Sequence, residues 1–200
     1  KGETDVTKNY DITKVNGTLE ITDRENKYEI TLKANSSTEN VYDGTAKSVT
    51  GVETNKITFN EVEYTVSGFT TSDPSETDAG TYPNTITAGE SGYVVKDPSG
   101  NDVTAQFTVN KEDGSLVIAK RPITVTATGG SKEYDGSPLT AEDTGYTISS
   151  GTLATGEAET VTLSGEITLV GTKPAVVSSV IIKKGETDVT KNYDITKVNG

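Results

Sequence analysis

Two pairs of closely spaced carboxylates could perform acid–base chemistry. They are Glu61 with Glu63 and Glu157 with Glu159. Side chains two positions apart in a β-strand point to the same face, and two carboxyl groups on one face can act as acid and base. The chain carries a net charge of -12, however, so such pairs are more often part of a solvent-facing strand surface. We favour that interpretation for both pairs.

The sequence contains neither His nor Cys. Lack of His removes the commonest general base and transition-metal ligand. Lack of Cys removes thiolate nucleophiles, zinc–thiolate sites and disulfides. An enzyme is therefore the least favoured class of protein, and we predict no catalytic residue, no metal site and no cofactor.

One oxygen-rich run could hold Ca²⁺. It spans residues 97–102 and reads Asp-Pro-Ser-Gly-Asn-Asp. It does not match the calcium-loop pattern D-x-[DN]-x-[DN]-G. We predict instead a turn in which Asp side chains accept hydrogen bonds from backbone N–H groups.

The charge balance and the apolar content limit the possible partners. Thirty acidic residues oppose 18 basic ones, so no face can offer phosphates a strongly basic patch. No apolar run approaches the roughly 20 residues that a membrane helix needs. We therefore expect neither nucleic-acid binding nor membrane insertion. A composition rich in Thr, Gly, Asp and Val suits extracellular β modules, and we read the chain, which does not begin with Met, as part of a longer secreted protein.

The sequence repeats itself at two levels. KGETDVTKNYDITKVNG occupies residues 1–17 and again residues 184–200, a period of 183 residues. Inside this period Tyr-Asp-Gly occurs at 42–44 and at 134–136, and Asp-Val-Thr begins at 5, 102 and 188. The repeating unit is therefore a module of roughly 90 residues, in two alternating types.

This repeat arithmetic divides the chain into three parts. We interpret residues 1–22 as the C-terminal strand pair of an upstream module of the second type. Residues 23–120 form a complete module of the first type, here called the first module. Residues 121–200, the second module, are of the second type and lack a final strand, whose sequence TLEIT follows the first copy of the repeat at residues 18–22.

The local pattern is that of an all-β chain. Residues 28–32 and 123–127 alternate apolar and polar side chains, as half-buried strands do. We expect two immunoglobulin-like or related β-sandwich modules in series, each with about seven strands and one thin core. The four-residue linker 119–122 contains Pro122, whereas residues 22–27 are longer and polar, so the first junction should be the stiffer one.

Two segments resemble β-hairpins. In residues 9–22 the dipeptide Asn16-Gly17 suits a type I′ turn, and the flanking residues alternate in polarity. Residues 107–118 repeat this design with a longer loop. If the second copy of the repeat lacks its partner strand, residues 188–199 expose an unpaired edge. We expect the N-terminal segment of a neighbouring molecule to dock there, head to tail.

Two further motifs predict turns. The Tyr-Asp-Gly triplets combine an Asp that bonds local backbone with a flexible Gly, and Tyr42 and Tyr134 should anchor these turns in the core. The alternative is a Tyr/Asp contact to a sugar. Residues 78–82, Asp-Ala-Gly-Thr-Tyr, resemble a tyrosine corner, which the second module lacks.

The order of these motifs resembles a known repeat family. The second module opens PITVTATGGSKEYDGSPLTA and passes through Gly-Thr, and the repeat closes DVTKNYDITKVNGTLEIT. Together these resemble the YDG/MBG-type tandem repeats of large Gram-positive bacterial surface proteins, over essentially the whole chain. The resemblance implies a secreted, cell-wall-associated adhesin or stalk. Mucin binding belongs to some related repeats only, and no residue here carries it over.

The sequence thus predicts structural stalk or spacer repeats of a cell-surface adhesin, with neighbouring modules of the chain as partners. The alternative is that the repeats bind host mucin or glycan weakly and multivalently. Some Gram-positive stalk domains carry side-chain crosslinks. Lys33 and Asn110 are of the right types, but their spacing does not select them, and we predict no crosslink.

Overall fold

The computed structural model describes residues 4–200. The chain is all-β, and its open sheets pack as sandwich-like layers. The only α-helix in residues 4–200 is the single turn α1 (Ala141–Thr144). Within the same residues there is no helix with the length and apolar character that crossing a membrane requires.

The first module contains short strands. They are β1 (Tyr28–Lys33), β2 (Ser37–Val41), β3 (Lys47–Ser48), β4 (Lys56–Phe59), β5 (Val62–Ser67), β6 (Phe69–Thr71), β7 (Ser75–Glu76), β8 (Gly80–Asn84), β9 (Ile86–Ala88), β10 (Val94–Lys96), β11 (Phe107–Glu112) and β12 (Gly114–Ala119).

The second module contains fewer. They are β13 (Arg121–Ala127), β14 (Leu139–Thr140), β15 (Tyr146–Ser150), β16 (Glu157–Ser164), β17 (Glu166–Ile167), β18 (Val176–Lys184), β19 (Thr187–Asp188) and β20 (Tyr193–Val198). Both modules exceed the expected number of about seven, because chain paths that cross between sheets are divided into two strands.

The ends of the first module lie side by side in two sheets. Strand β11 pairs in parallel with β1, and β12 then pairs in parallel with β2 and antiparallel with β8. Between β11 and β12 the chain therefore crosses from one sheet to another. The prediction of a hairpin over residues 107–118 is wrong, because a short Gly-containing loop between two apolar runs suits such a crossing as well as it suits a hairpin.

The second module repeats only half of this arrangement. Strand β20 pairs in parallel with β13, as β11 does with β1. On the side away from β13, β20 pairs with no strand of residues 4–200, so it forms the edge expected within residues 188–199. In the first module β11 is an edge strand in the same way, on the side away from β1. The difference between the modules concerns β12, which lies between β2 and β8 in the first module. In the described part of the second module no strand lies between the counterparts of β2 and β8.

The N-terminal segment does not form the predicted hairpin. Residues 1–3 lie outside the described part, and residues 10–24 contain no strand. Leu19 and Ile21, the apolar residues of the predicted second strand, are fully exposed, and Tyr10 is 68% exposed. An isolated two-stranded hairpin is marginal in water without a surface to cover its apolar face, and these residues contact no such surface.

The core is not divided into one cluster per module. The largest cluster contains Tyr42, Leu116 and Ile118 of the first module together with β13, β18 and β20 side chains of the second. Two smaller clusters, around Val66 and around Leu32, lie within the first module. Apolar packing is therefore continuous across the junction at residue 120.

Candidate functional site

The contact surface between the two modules, here called the joint, is built around one carboxylate. Glu157 begins β16 in the second module. Tyr42 of the first module donates a hydrogen bond to Glu157 Oε1 at 2.5 Å, and Tyr193 donates to Glu157 Oε2, also at 2.5 Å. The two phenol rings meet edge to face, with centroids 5.6 Å apart. One carboxylate thus binds a tyrosine from each module.

Burial at the joint changes the ionisation of both tyrosines. Tyr42 and Tyr193 are 2% and 4% exposed. Loss of solvent, reinforced by the hydrogen bond to Glu157, raises the pKa of Tyr193 to about 12 and raises the pKa of Tyr42 in the same way. Tyr193 Oη also accepts a hydrogen bond from the backbone N–H of Ala154. Both hydroxyls therefore stay protonated as donors over a wide pH range.

A buried amide forms the second contact of the joint. Asn192, fully buried just before β20, accepts a hydrogen bond from Ala79 N and donates one to Asp78 Oδ1 at 2.8 Å. Lys191 forms an ion pair with the other oxygen of Asp78 at 2.7 Å. The bonds from Lys191 and Asn192 hold the pKa of Asp78 below its usual range.

The linker between the two modules is short and adds further contacts to the joint. Only Lys120 separates β12 from β13. The Arg121 guanidinium donates to Thr152 O and Thr152 Oγ1 within the second module and to Tyr42 O of the first. Lys184 also reaches across to Gly44 O at 3.2 Å. These direct polar contacts, together with the shared core, fix one module against the other.

The far side of the second module contains an open groove of about 400 Å³. Its two walls are residues 129–134 and residues 165–175. Several apolar side chains on these walls face solvent: Tyr134 is 66%, Leu169 75% and Val170 91% exposed. In the described residues no strand occupies this groove.

The groove corresponds to the place of β12 in the first module. Gly-Thr-Tyr-Pro at 80–83, in β8, matches Gly-Thr-Lys-Pro at 171–174 on one wall. The residues before Tyr42, in β2, hold the same place relative to the Tyr-Asp-Gly motif as those before Tyr134 on the other wall. Both segments are strands in the first module, where β12 lies between them, and neither is a strand in the second.

The predicted turns are formed in both modules, but only one of their tyrosines is an anchor. Asp43 accepts a hydrogen bond from Thr45 N, and Asp135 accepts one from Ser137 N, each at 2.9 Å. Tyr42 is buried, as predicted. The prediction for Tyr134 is wrong, because the first module's tyrosine packs against the module that follows it, and Tyr134 lies instead at the open groove.

The tyrosine corner at residues 78–82 is confirmed. Tyr82 Oη donates a hydrogen bond to Asp78 O at 3.0 Å. The corner therefore holds the loop whose Asp78 side chain contacts the next module. This gives the motif a role at the joint that the sequence did not indicate.

The remaining candidates form local structure. Asp97 accepts hydrogen bonds from the backbone of Ser99 and Asn101, so residues 97–102 form the predicted turn. Within residues 4–200 no group of three or more acidic side chains is placed to hold a metal ion. Glu63 forms an ion pair with Lys56, while Glu61 is exposed.

The two members of the other carboxylate pair, Glu157 and Glu159, make different contacts. Glu157 belongs to the joint, whereas Glu159 accepts a longer hydrogen bond from Tyr146 at 3.4 Å. Lys33 forms an ion pair with Glu112 at 2.9 Å, and the strand register places Asn110 opposite Thr31.

Sequence reasoning missed the two buried amides. Asn84 donates to the backbone carbonyls of Asn35 and Gly51, and Asn192 binds the first module. One signal was present for Asn192. Its counterpart Gln106 also carries an amide and follows the same Asp-Val-Thr motif, and it binds Asp23 and the Arg24 N–H in the same manner.

Comparison of the chain with family models, with curated proteins and with solved structures finds no match.

Proposed function

We propose that this chain is a pair of structural modules from the stalk of a secreted bacterial cell-surface adhesin, with the array holding a separate binding domain away from the cell wall. The observation that carries the proposal is the joint. It couples successive modules through a continuous core, a carboxylate shared by two tyrosines and a one-residue linker. A spacer needs such coupling, because freely hinged modules would shorten the average reach of an array.

The repeat pattern supports the same proposal. A period of 183 residues with letter-for-letter identity over 17 residues indicates recent duplication, which changes the number of modules. Adding modules lengthens a stalk, whereas an enzyme gains little from tandem copies. At the joint, both carboxylate oxygens of Glu157 accept hydrogen bonds from the two tyrosines.

Small-angle X-ray scattering on the 200-residue chain tests the rigid coupling. We expect one narrow distribution of distances between the modules. Glu157→Gln should broaden it, because one carboxylate oxygen becomes an NH₂ group, which cannot accept the hydrogen bond that its phenol donates. Glu159→Gln is the matched control and should leave it unchanged. A broad distribution for the unmodified chain would contradict the spacer proposal.

A binding assay tests the competing function. The chain is immobilised at high density on beads, so that weak contacts add up, and is presented with soluble mucin. The spacer proposal expects retention no greater than that of beads carrying an unrelated acidic protein. Retention that rises with bead density would favour the mucin- or glycan-binding alternative.

A further inference from the structure

The beginning and the end of the first module run side by side through two successive strand pairs. β1 pairs in parallel with β11 along its whole length, and β2 then pairs in parallel with β12. The two segments that contain these strands are residues 28–41 and residues 107–119. Both segments therefore point in the same direction while they cross together from one sheet to another.

The pairing continues through this crossing. Directly after β1, Ala34 N donates a hydrogen bond to Glu112 O at 2.9 Å. A few residues further on, the two backbones come so close that a Cβ on Gly114 would collide with the carbonyl oxygen of Asn35. The beginning and the end of the module are thus held together on both sides of the crossing and at the crossing itself.

Side-chain packing adds to the hydrogen bonds between β1 and β11. Within residues 4–200, β11 is the only strand that pairs with β1. Ile30 and Leu32 of β1 are 5% and 1% exposed, and Ile30 lies in the same core cluster as Phe107 of β11. Sliding β1 along β11 would pull these side chains out of a close-packed core as well as break the hydrogen bonds.

Tension along the chain would reach the two segments from opposite ends. The chain enters the first module at the start of β1 and leaves it at the end of β12. Because the segments are parallel, a pull on both ends of the module draws residues 28–41 one way and residues 107–119 the other. The segments must then slide past each other, which loads their hydrogen bonds together. A pull on two neighbouring ends would instead peel the strands apart, one hydrogen bond after another.

The second module has the same arrangement at its own ends. β20 pairs in parallel with β13 along its whole length. Only Lys120 separates the end of β12 from the start of β13. At this point Tyr42 N donates to Ala119 O at 2.9 Å, and the Arg121 guanidinium donates to Tyr42 O. Tension that leaves the first pair of segments therefore enters the second pair directly.

We propose that these parallel terminal pairs are mechanical clamps that keep both modules folded when the chain is under tension. The first clamp consists of residues 28–41 with residues 107–119, and the second consists of β13 with β20. Forced unfolding is controlled by the unfolding rate, so a clamp acts by raising the barrier to opening. The inference goes beyond the proposed spacer function, because it concerns resistance to tension and not the angle between modules. Hinged modules would still be clamped, and rigidly joined modules without clamps would still open at low force.

The test pulls the first module of the 200-residue chain in two directions. The sequence contains no Cys, so two introduced cysteines are the only attachment points for the handles. Lys27→Cys/Lys120→Cys applies force to opposite ends of the first clamp and makes its segments slide. Lys27→Cys/Ala105→Cys is the matched control, which applies force to neighbouring ends and peels β1 from β11. All three positions are exposed, so both variants should fold.

Single-molecule force spectroscopy at one pulling speed measures the rupture force of both variants. The sliding variant should rupture at a force at least about twofold higher, because its hydrogen bonds break together and not in sequence. Both variants should have the same urea midpoint, since their unloaded fold is the same. Opening of the first module releases roughly 300 Å of chain between residues 27 and 120, and this length identifies the event.

The second clamp is tested in the same way. Lys120→Cys/Asn199→Cys makes β13 and β20 slide, and Lys120→Cys/Asp194→Cys peels them, with the same order of rupture forces expected. If a sliding variant opens at the same force as its peeling control or at a lower one, the clamp proposed for that module is overturned. Gradual extension of a sliding variant at low force would overturn it as well, because a clamp gives way in a single step.

Discussion

The two copies of KGETDVTKNYDITKVNG have one sequence and two structures. Both copies form the same turn: Asp5 accepts from Thr7 N and Asp188 from Thr190 N, each at 2.9 Å, and a 3-10 turn follows. Beyond the turn they diverge. Tyr193 begins strand β20 and is 4% exposed, whereas Tyr10 begins no strand and is 68% exposed. The turn therefore depends only on bonds within the segment itself. The strand forms only where the rest of the module packs against it.

The same contrast holds for the residue before each tyrosine. Asn192 is fully buried and binds Asp78 and Ala79 of the first module. Asn9, at the equivalent place, is exposed. Identical residues therefore supply matched controls 183 positions apart, and the following predictions use them.

The largest effect is expected at the tyrosine. Tyr193→Ala should lower the free energy of unfolding by about 3–5 kcal/mol, because it removes a buried aromatic ring and leaves a cavity. Tyr10→Ala should change it by less than about 0.5 kcal/mol. Urea unfolding followed by circular dichroism measures both. Equal losses would mean that the first copy is also packed in solution.

A smaller effect is expected at the amide. Asn192→Ala should cost about 1–3 kcal/mol, because it leaves the partly buried N–H of Ala79 and one oxygen of Asp78 without their partner. Asn9→Ala should be close to neutral. The same unfolding experiment compares them, and an unchanged midpoint for Asn192→Ala would contradict the assigned contacts.

The pH dependence should also separate the copies. The folded pKa of Tyr193 is raised to about 12, above its unfolded value near 10. Its contribution to stability is therefore complete below pH 10 and is lost as the pH rises towards 12. Tyr193→Phe should flatten this alkaline loss of the thermal unfolding temperature, and Tyr10→Phe should not. If the thermal unfolding temperature falls equally with rising pH in both variants, groups other than Tyr193 cause the alkaline loss.

The smallest effect is expected at the lysine. Lys191 forms an exposed ion pair with Asp78, and such pairs contribute little and are screened by salt. Lys191→Ala should lower the thermal unfolding temperature slightly at low ionic strength and not at high ionic strength. Lys8→Ala should have no effect in either buffer. A loss that persists at high salt would assign Lys191 a packing role.

Features with local causes could be predicted from the sequence. The all-β class followed from alternating strands, and the Tyr-Asp-Gly turns and the tyrosine corner at residues 78–82 are present as expected. Their bonds join residues two to four positions apart. Patterns of this length are visible in the sequence because their two partners appear together.

Features that depend on distant partners were predicted poorly. Residues 107–118 were expected to form a hairpin but cross between two sheets, since an apolar run does not specify which strand it pairs with. Tyr42 and Tyr134 belong to the same motif, but within the described residues only Tyr42 packs against another module. The joint escaped prediction because Asp78 and Asn192 are 114 residues apart.

The sequence by itself determined the repeat, the strand periodicity and the Asp-Val-Thr turn, which Asp102 forms as well as Asp5 and Asp188. These depend on bonds within a few residues of one another. Only the tertiary structure decided that one copy of the repeat is a buried strand and the other is exposed, and that one Tyr-Asp-Gly tyrosine binds a carboxylate while the other borders an open groove. The physical reason is that burial of a short apolar segment stabilises it only where another surface is in place to cover it.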